Sequence, residues 1–257
     1  MDALVVAGGT PGTDDPLYPL TQGRPKALLE LEGRPMVQWV LDALEGAERV
    51  EHVVLVGPGP EDGLHLGAAS AFVPDQGAII ANVRAGLQAV RRLNPAATHI
   101  LLASGDIPSI TPEMVDWRVQ TVEAADADID YAVVERRVMD QVFPGSRRSF
   151  THVKDAEVCG GDLNGLRVTV AADDGLWNAL YAARKNALKQ AALVGFDVLF
   201  LGAIRQLSLE DAEQRVGRHL GLKTHITRCP YAEIGMDVDK PHQYEMVRQH
   251  LRARSQA

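Results

Sequence analysis

Lys26 in Arg24-Pro25-Lys26, Asp106 in Ser104-Gly105-Asp106-Ile107-Pro108, and the acidic pair in Asp237-Val238-Asp239-Lys240-Pro241 are the charged positions whose surroundings could make chemistry of them. On an extended segment, side chains alternate between faces, so Asp237 and Asp239 share one. Carboxylates at that spacing repel, and a cation near them relieves the repulsion. Mg²⁺ is suited to this, because it takes a few carboxylates together with substrate phosphate oxygens. A plainer reading has Asp239 capping the helix that starts at Pro241 and carries the stripe Tyr244, Val247 and Leu251. A lone Gly-Asp is ordinarily a turn aspartate bonded to its own loop. The late acidic pair shifts the preference for Asp106 toward a shared cation site.

The N-terminus supplies a matching anion edge. Ala3-Leu4-Val5-Val6-Ala7 reads as a core strand that runs into Gly8-Gly9-Thr10-Pro11-Gly12. Paired glycines after a strand expose backbone N–H groups that can approach a polyphosphate, and Lys26 can lie against the same charge. Glycines also simply make tight strand-to-loop turns. Neither G-x-G-x-x-G nor G-K-[ST] is present, so the dinucleotide fingerprint and the P-loop are both excluded. Later in the chain, Arg147-Arg148 is suited to bidentate phosphate or carboxylate contacts. It precedes Lys154 and the turn containing Gly160-Gly161-Asp162, which fits either a close ligand approach or a hairpin.

The elements that must position these groups follow from periodicity. Apolar, β-branched runs at residues 3–7, 52–56, 70–73 and 99–103 predict strands. Helical stripes lie between them: Val37, Val40, Leu41 and Leu44 after Pro35, then Ile80, Val83, Leu87 and Val90. Such alternation predicts βαβ units and an α/β fold with a mainly parallel central sheet flanked by helices. Thr111-Pro112 reads as an N-cap and first helical residue. A strand is expected at 131–134, another at 166–170 after the glycine turn, and helices near 175–192, 197–206 and 208–220. One domain is expected, with a nucleotide-binding half at 1–137, an elaborated acceptor-side half at 138–230, and a 231–257 segment carrying the metal motif and a helix back to the first half.

Composition narrows the class. The 257 residues, 46% hydrophobic and 23% charged, suffice for one large core. A net charge of -8 disfavours a nucleic-acid backbone or an anionic membrane as partner, so any phosphate site must be local. The start lacks a basic n-region, and the apolar window 191–204 is interrupted by Asp197 and falls short of the ~20 residues of a membrane span. The two cysteines, Cys159 and Cys229, lack metal-ligand spacing. A reduced cytoplasm is the expected setting.

The run from Gly23-Arg24-Pro25-Lys26-Ala27-Leu28-Leu29 to Glu32-Gly33-Arg34-Pro35-Met36-Val37 resembles the nucleotidyltransferase superfamily of GT-A-like Rossmannoid fold. Its members open with a strand, an A-G-G loop, P-K, a short strand, G-[RK]-P-[ML] and a helix. Within it the chain is most similar to the MobA-like NTP transferase branch. Ser104-Gly105-Asp106-Ile107-Pro108 is similar to the family's G-D-x-P metal-binding turn, and Asp237-Val238-Asp239-Lys240-Pro241 to its late D-x-D-[TK]-P.

The resemblance implies a Mg²⁺-dependent enzyme that moves NMP from an NTP to a small, phosphorylated acceptor and releases pyrophosphate. Asp106 and Asp239 would be metal ligands, with Asp237 assisting, and Lys26 would lie along the phosphates. Ala7, Gly8, Gly9, Gly12, Gly105 and the segment Gly77 to Asn82 would surround the nucleotide; for Asn82 a helix N-terminal amide is an equally ordinary reading. Arg147, Arg148, Gly160 and Gly161 are the candidates for the anionic acceptor. One departure stands out. The family places an arginine just after its glycine loop, whereas this chain reads Gly12-Thr13-Asp14-Asp15-Pro16-Leu17 and has no basic residue before Arg24; either Arg24 substitutes by reaching in from the loop, or the loop closes only on substrate. That gap leaves room for a non-catalytic nucleotide or sugar-nucleotide binding module. A glycosyltransferase of related fold is a further alternative, disfavoured by the late position of Asp237-Val238-Asp239 and by Pro25-Lys26.

Overall fold

The computed structural model describes residues 1–173, 175–178 and 206–256. The helices expected near 175–192 and 197–206, and the apolar window 191–204, fall largely outside the described residues.

Strands β1 (Asp2–Val6), β4 (Val53–Gly57), β5 (Ala71–Pro74) and β6 (His99–Ser104) pair in parallel in the order β5-β4-β1-β6. Short helix α1 (Tyr18–Thr21), the small pair β2 (Glu30–Leu31) and β3 (Arg34–Pro35), and helix α2 (Met36–Glu45) lie between β1 and β4 in sequence, and α3 (Ile79–Leu93) between β5 and β6. Alternation along the strands divides the core in two. Ala3, Val5, Val53, Leu55, Leu101 and Ala103 face α2, α4 (Pro112–Ala125) and α8 (Pro241–Ser255). Leu4, Val54, Val56 and Ile100 face α3. Both faces of a parallel sheet are thereby covered, which is why these strands read as continuous apolar runs. The α2 stripe arises as expected, with Pro35 as its N-cap instead of its first helical residue. Thr111 likewise precedes α4 but makes no side-chain cap bond to the backbone.

Beyond β6 the sheet changes character. Strand β10 (Leu163–Arg167) runs antiparallel between β6 and β7 (Ile129–Glu135). Farther along β7, β9 (Glu157–Gly160) takes over the same edge, and β8 (Thr151–His152) pairs with β9. Strand β11 (Thr224–Cys229) lies parallel on β7's other edge, covered by α7 (Leu209–Leu220). Short α5 (Arg136–Val142) follows β7.

The strand expected at 166–170 is corrected here: β10 occupies Leu163–Arg167, and residues Val168–Ala171 form the short helix α6. Paired on both edges, β10 starts as soon as the chain leaves β9, so the turn shrinks to Gly161 and Asp162. Gly161 N donates to Ala132 O at 2.8 Å, and Ala132 N donates to Asn164 Oδ1 at 2.8 Å, closing the fork where β9 gives way to β10. The sheet is thus continuous across residue 137. We retain the division there as a proposal about roles, one half serving the nucleotide and the other the acceptor.

Candidate active site

The carboxyl ends of β1, β5 and β6 open onto one cleft of about 450 Å³, the edge at which open α/β sheets bind ligands. Ala7, Gly8 and Gly9 leave β1 here. Ser104, Gly105 and Asp106 leave β6, Lys26 lies between them, and Asp75, Gly77, Ile79 and Asn82 close the far side. Gly9 has φ +107° with open space around its Cβ position, a conformation that glycine adopts without strain. At Gly8 the reason is a close approach, since a Cβ would collide with the Asp75 carboxylate and the Asn82 amide.

That carboxylate organises the glycine loop. Asp75 Oδ1 accepts from Asn82 Nδ2 at 2.8 Å and from Gly77 N at 3.0 Å, and Oδ2 accepts from Gly9 N at 3.3 Å. Asn82 Oδ1 in turn accepts from Gln76 N at 2.7 Å. The Asn82 bond above all, with the backbone donors, holds the Asp75 carboxyl below its ordinary range. Buried Asn82 therefore spends its amide on the loop, and the fold gives it a positioning role. Asp75 escaped the sequence reading; its signal was an aspartate two residues before a loop glycine, a common side-chain turn.

The charged groups singled out in the sequence lie together. Lys26 Nζ donates to Asp106 Oδ2 at 2.6 Å and to Asp239 Oδ1 at 2.5 Å, although these residues are 80 and 213 positions away in the chain. Burial opposes the ammonium charge, but the two carboxylates outweigh it and raise the Lys26 pKa. Ser104 Oγ donates to Asp106 Oδ1 at 2.5 Å, and Val238 N donates to Asp106 O at 3.0 Å, tying the end of β6 to the late acidic motif. Asp239 does not cap α8, whose N-cap is Lys240. Its N–H instead donates to Gln243 Oε1 at 3.0 Å, which leaves its half-exposed carboxylate directed to Lys26.

Asp106, Asp237 and Asp239 offer ligand oxygens all within 4.8 Å of one another. An all-carboxylate set open to solvent on one side suits a hard divalent cation that keeps water and phosphate oxygens in its shell. That an ammonium already bridges two of these carboxylates shows that the locus favours positive charge. These residues fit Mg²⁺.

The arginine pair divides. Arg148 forms an ion pair with Asp237 and is largely buried, whereas Arg147 is exposed at φ +53°. Lys154 is exposed and sits beside Asp211 on α7. Arg24 is exposed and does not line the cleft, nor does Gly12. Among the described residues lining it, Lys26 is the cation, together with the carboxylates of Asp15, Asp75 and Asp106. The glycine at 160 answers to Tyr131, whose hydroxyl occupies the place a Cβ would need.

Asp162, quoted in the turn but given no role by the sequence, is held at the end of β6. Its carbonyl accepts from Ser104 N at 3.0 Å, and its N–H donates to Ile234 O at 2.9 Å. Burial first, then the charge of Asp106, push its carboxyl up to about 7, with Arg148 opposing.

Comparison with known proteins shows the fold and the family. The chain is 32% identical over 148 residues to the bifunctional protein GlmU of Sorangium cellulosum, a match covering 52% of this chain and 29% of that protein's length. A hypothetical transferase structure from Thermus thermophilus superposes with a TM-score of 0.79 at 31% identity, covering 95% of this chain and 100% of the other. The CMP:2-keto-3-deoxy-manno-octonic acid synthetase complexed with CTP shares the fold, with a TM-score of 0.57 at 16% identity over 99% of this chain and 100% of that one. The family described as the MobA-like NTP transferase domain matches residues 3–220, and the chain belongs to that nucleotidyltransferase family.

Proposed function

We propose that the protein is a Mg²⁺-dependent nucleotidyltransferase that moves an NMP unit from an NTP to a small anionic acceptor. The observation that carries this reading is Lys26 bridging Asp106 and Asp239 at the mouth of the glycine-lined cleft. An acceptor oxygen attacks the α-phosphorus, the bond to the bridging oxygen of the β-phosphate breaks, and pyrophosphate leaves. Little covalent chemistry is asked of the protein, so its share is positioning and charge stabilisation. With the Gly9 N–H held by Asp75, the Gly8 backbone N–H faces the phosphates, and Lys26 offsets the charge that develops on the leaving group. Bound by Asp106 and Asp239 with Asp237 beside them, Mg²⁺ would supply charge neutralisation and a template for the phosphates. Exposed Ile79 gives the base an apolar wall. Arg148 reaches the carboxylate cluster from the later half and receives the acceptor's anionic group.

Pyrophosphate release is the test, measured with each of the four NTPs, Mg²⁺ and a panel of sugar phosphates. Asp106→Asn and Asp239→Asn are each expected to abolish Mg²⁺-dependent release while leaving the circular dichroism spectrum unchanged. Wild-type rates in either variant would overturn the metal assignment. A specific observation also favours a binding-only module: no arginine lines the cleft among the described residues. NTP-dependent thermal stabilisation without any pyrophosphate release would decide for it.

A further inference from the structure

Two buried polar atoms of opposite sense, one on the turn between β9 and β10 and the other on the segment before β8, lie near the carboxylate cluster, and neither forms a hydrogen bond among the described residues. One is Asp162 Oδ2, an acceptor; the other is Arg148 Nε, a donor. Their charges act on each other, yet no hydrogen bond joins them among those formed by the described residues. Leaving a buried donor or acceptor unsatisfied costs about 1–3 kcal/mol and more for charged groups, so purely structural residues in these places would be expected to pair. The neutral Cys159 thiol beside Arg148 is only a weak acceptor. The backbone of Asp162 is fixed on both sides, by Ser104 N and Ile234 O. Besides Arg148, the charges it feels are Asp106, Asp239 and Lys26, the groups assigned above to metal and phosphate.

We propose that Asp162 and Arg148 form an acceptor-recognition pair, in which Asp162 Oδ2 accepts a hydrogen bond from a hydroxyl of the acceptor and Arg148 Nε donates to its anionic oxygen. The inference rests on the transferase reading and deepens it. It names the acceptor class as a polyhydroxylated phosphate or carboxylate, and Asp162 as a specificity-determining residue. A site with a fixed acceptor atom discriminates strongly against a ligand lacking the matching hydroxyl, because the site's own buried group is then left unpaired.

Titration calorimetry tests this with the full chain, a panel of sugar monophosphates, and the deoxy counterpart of each. Binding of the same NTPs with Mg²⁺ serves as an internal control. At least one sugar phosphate is expected to bind, and one of its deoxy forms to bind at least tenfold more weakly. Asp162→Ala should remove that difference with NTP affinity unchanged, and Asp162→Asn, whose amide oxygen still accepts, should restore most of it. If Asp162→Ala does not fold, Asp162→Leu takes its place, and equal binding of every deoxy pair on the unaltered protein overturns the pair without any variant. Equal binding of every deoxy pair, or an unchanged difference in Asp162→Ala, would overturn the pair while leaving the transferase reading standing. So would NTP binding without binding of any sugar phosphate. If neither NTP nor sugar phosphate binds, both fall. An ordered water bridging the two atoms without a ligand role would appear as the first of these results, with every deoxy pair equal.

Discussion

Lys26 is the residue at which electrostatics and chemistry coincide. Its ammonium stands between the carboxylates that would hold the metal, so on loading it must pass to the phosphates. Lys26→Ala is therefore expected to slow transfer by about 10²-fold or more, the scale for losing one preorganised charge-stabilising group. It should also tighten binding of Mn²⁺ alone, since a competing cation has been removed. Mn²⁺ binding followed by electron paramagnetic resonance checks the second outcome; weaker binding would make Lys26 a structural support of the carboxylates instead. The Asp162 carboxyl gives a pH signature of unusual sign. With its folded pKa about 7 against the ordinary 3.8, the native state holds a proton that the unfolded chain gives up. Its stabilising effect is complete below about pH 4 and is lost as the pH rises to about 7. In metal-free buffer, Asp162→Asn should match the wild type near pH 4 and exceed it at pH 8, by up to about 4 kcal/mol at about 1.36 kcal/mol per pH unit. Urea denaturation at the two pH values measures this, and parallel curves would mean the carboxyl is not perturbed. Lys26, Asp106 and Asp239 were legible in the sequence because each sits in a motif with its own local grammar. Asp162 was not, because its isolation is created by β6 and by the segment before Asp237, both far away in the chain.

At the scale of elements, the glycine loop is held from outside itself. Asn82, in the first turn of α3, fastens Asp75 and Gln76, and Asp75 fastens Gly9. Asn82→Ala should free this clasp, raise the KM for NTP several-fold and leave kcat within about twofold, because an interaction that only seats the substrate acts equally on ground and transition states. Steady-state kinetics with the preferred NTP separates this from a direct contact to the reacting phosphates, which would lower kcat. The βαβ half was readable because its strands are buried on both faces and its helices carry clear stripes. The segment 159–170 misled for a physical reason: Gly160, Gly161 and Gly165 suggest a loose turn, yet two of them pack inside strands. A Cβ at Gly160 would strike Tyr131, and one at Gly165 would strike Val122 on α4. Glycine there marks tight packing, which only the neighbouring elements disclose.

Across the whole molecule, a fully buried ion pair within the first half anchors strands of the second. Arg118 on α4 and Asp130 on β7 are both fully buried. The guanidinium donates to Asp130 Oδ1 at 2.9 Å, to Asp130 O at 2.8 Å and to Leu163 O at 2.8 Å, while Thr227 Oγ1 on β11 donates to Asp130 Oδ1 at 2.7 Å. Helix α4 is thereby bound to β7 and, across it, to β10 and β11 of the acceptor half. The bond to Leu163 O also steadies the residue next to Asp162. Desolvating both charges offsets most of their attraction, and Asp130 Oδ2 stays without a partner, so the pair adds little net stability over an apolar replacement. Removing one member alone strands a charge in the core. Arg118→Met is thus expected to cost about 3–5 kcal/mol in urea denaturation, whereas Arg118→Met combined with Asp130→Leu should recover most of that loss. If stability returns in the double variant while affinity for the acceptor does not, the pair's contribution is to hold the acceptor half in register on the sheet. If both return, packing alone sets that register and the charges are dispensable.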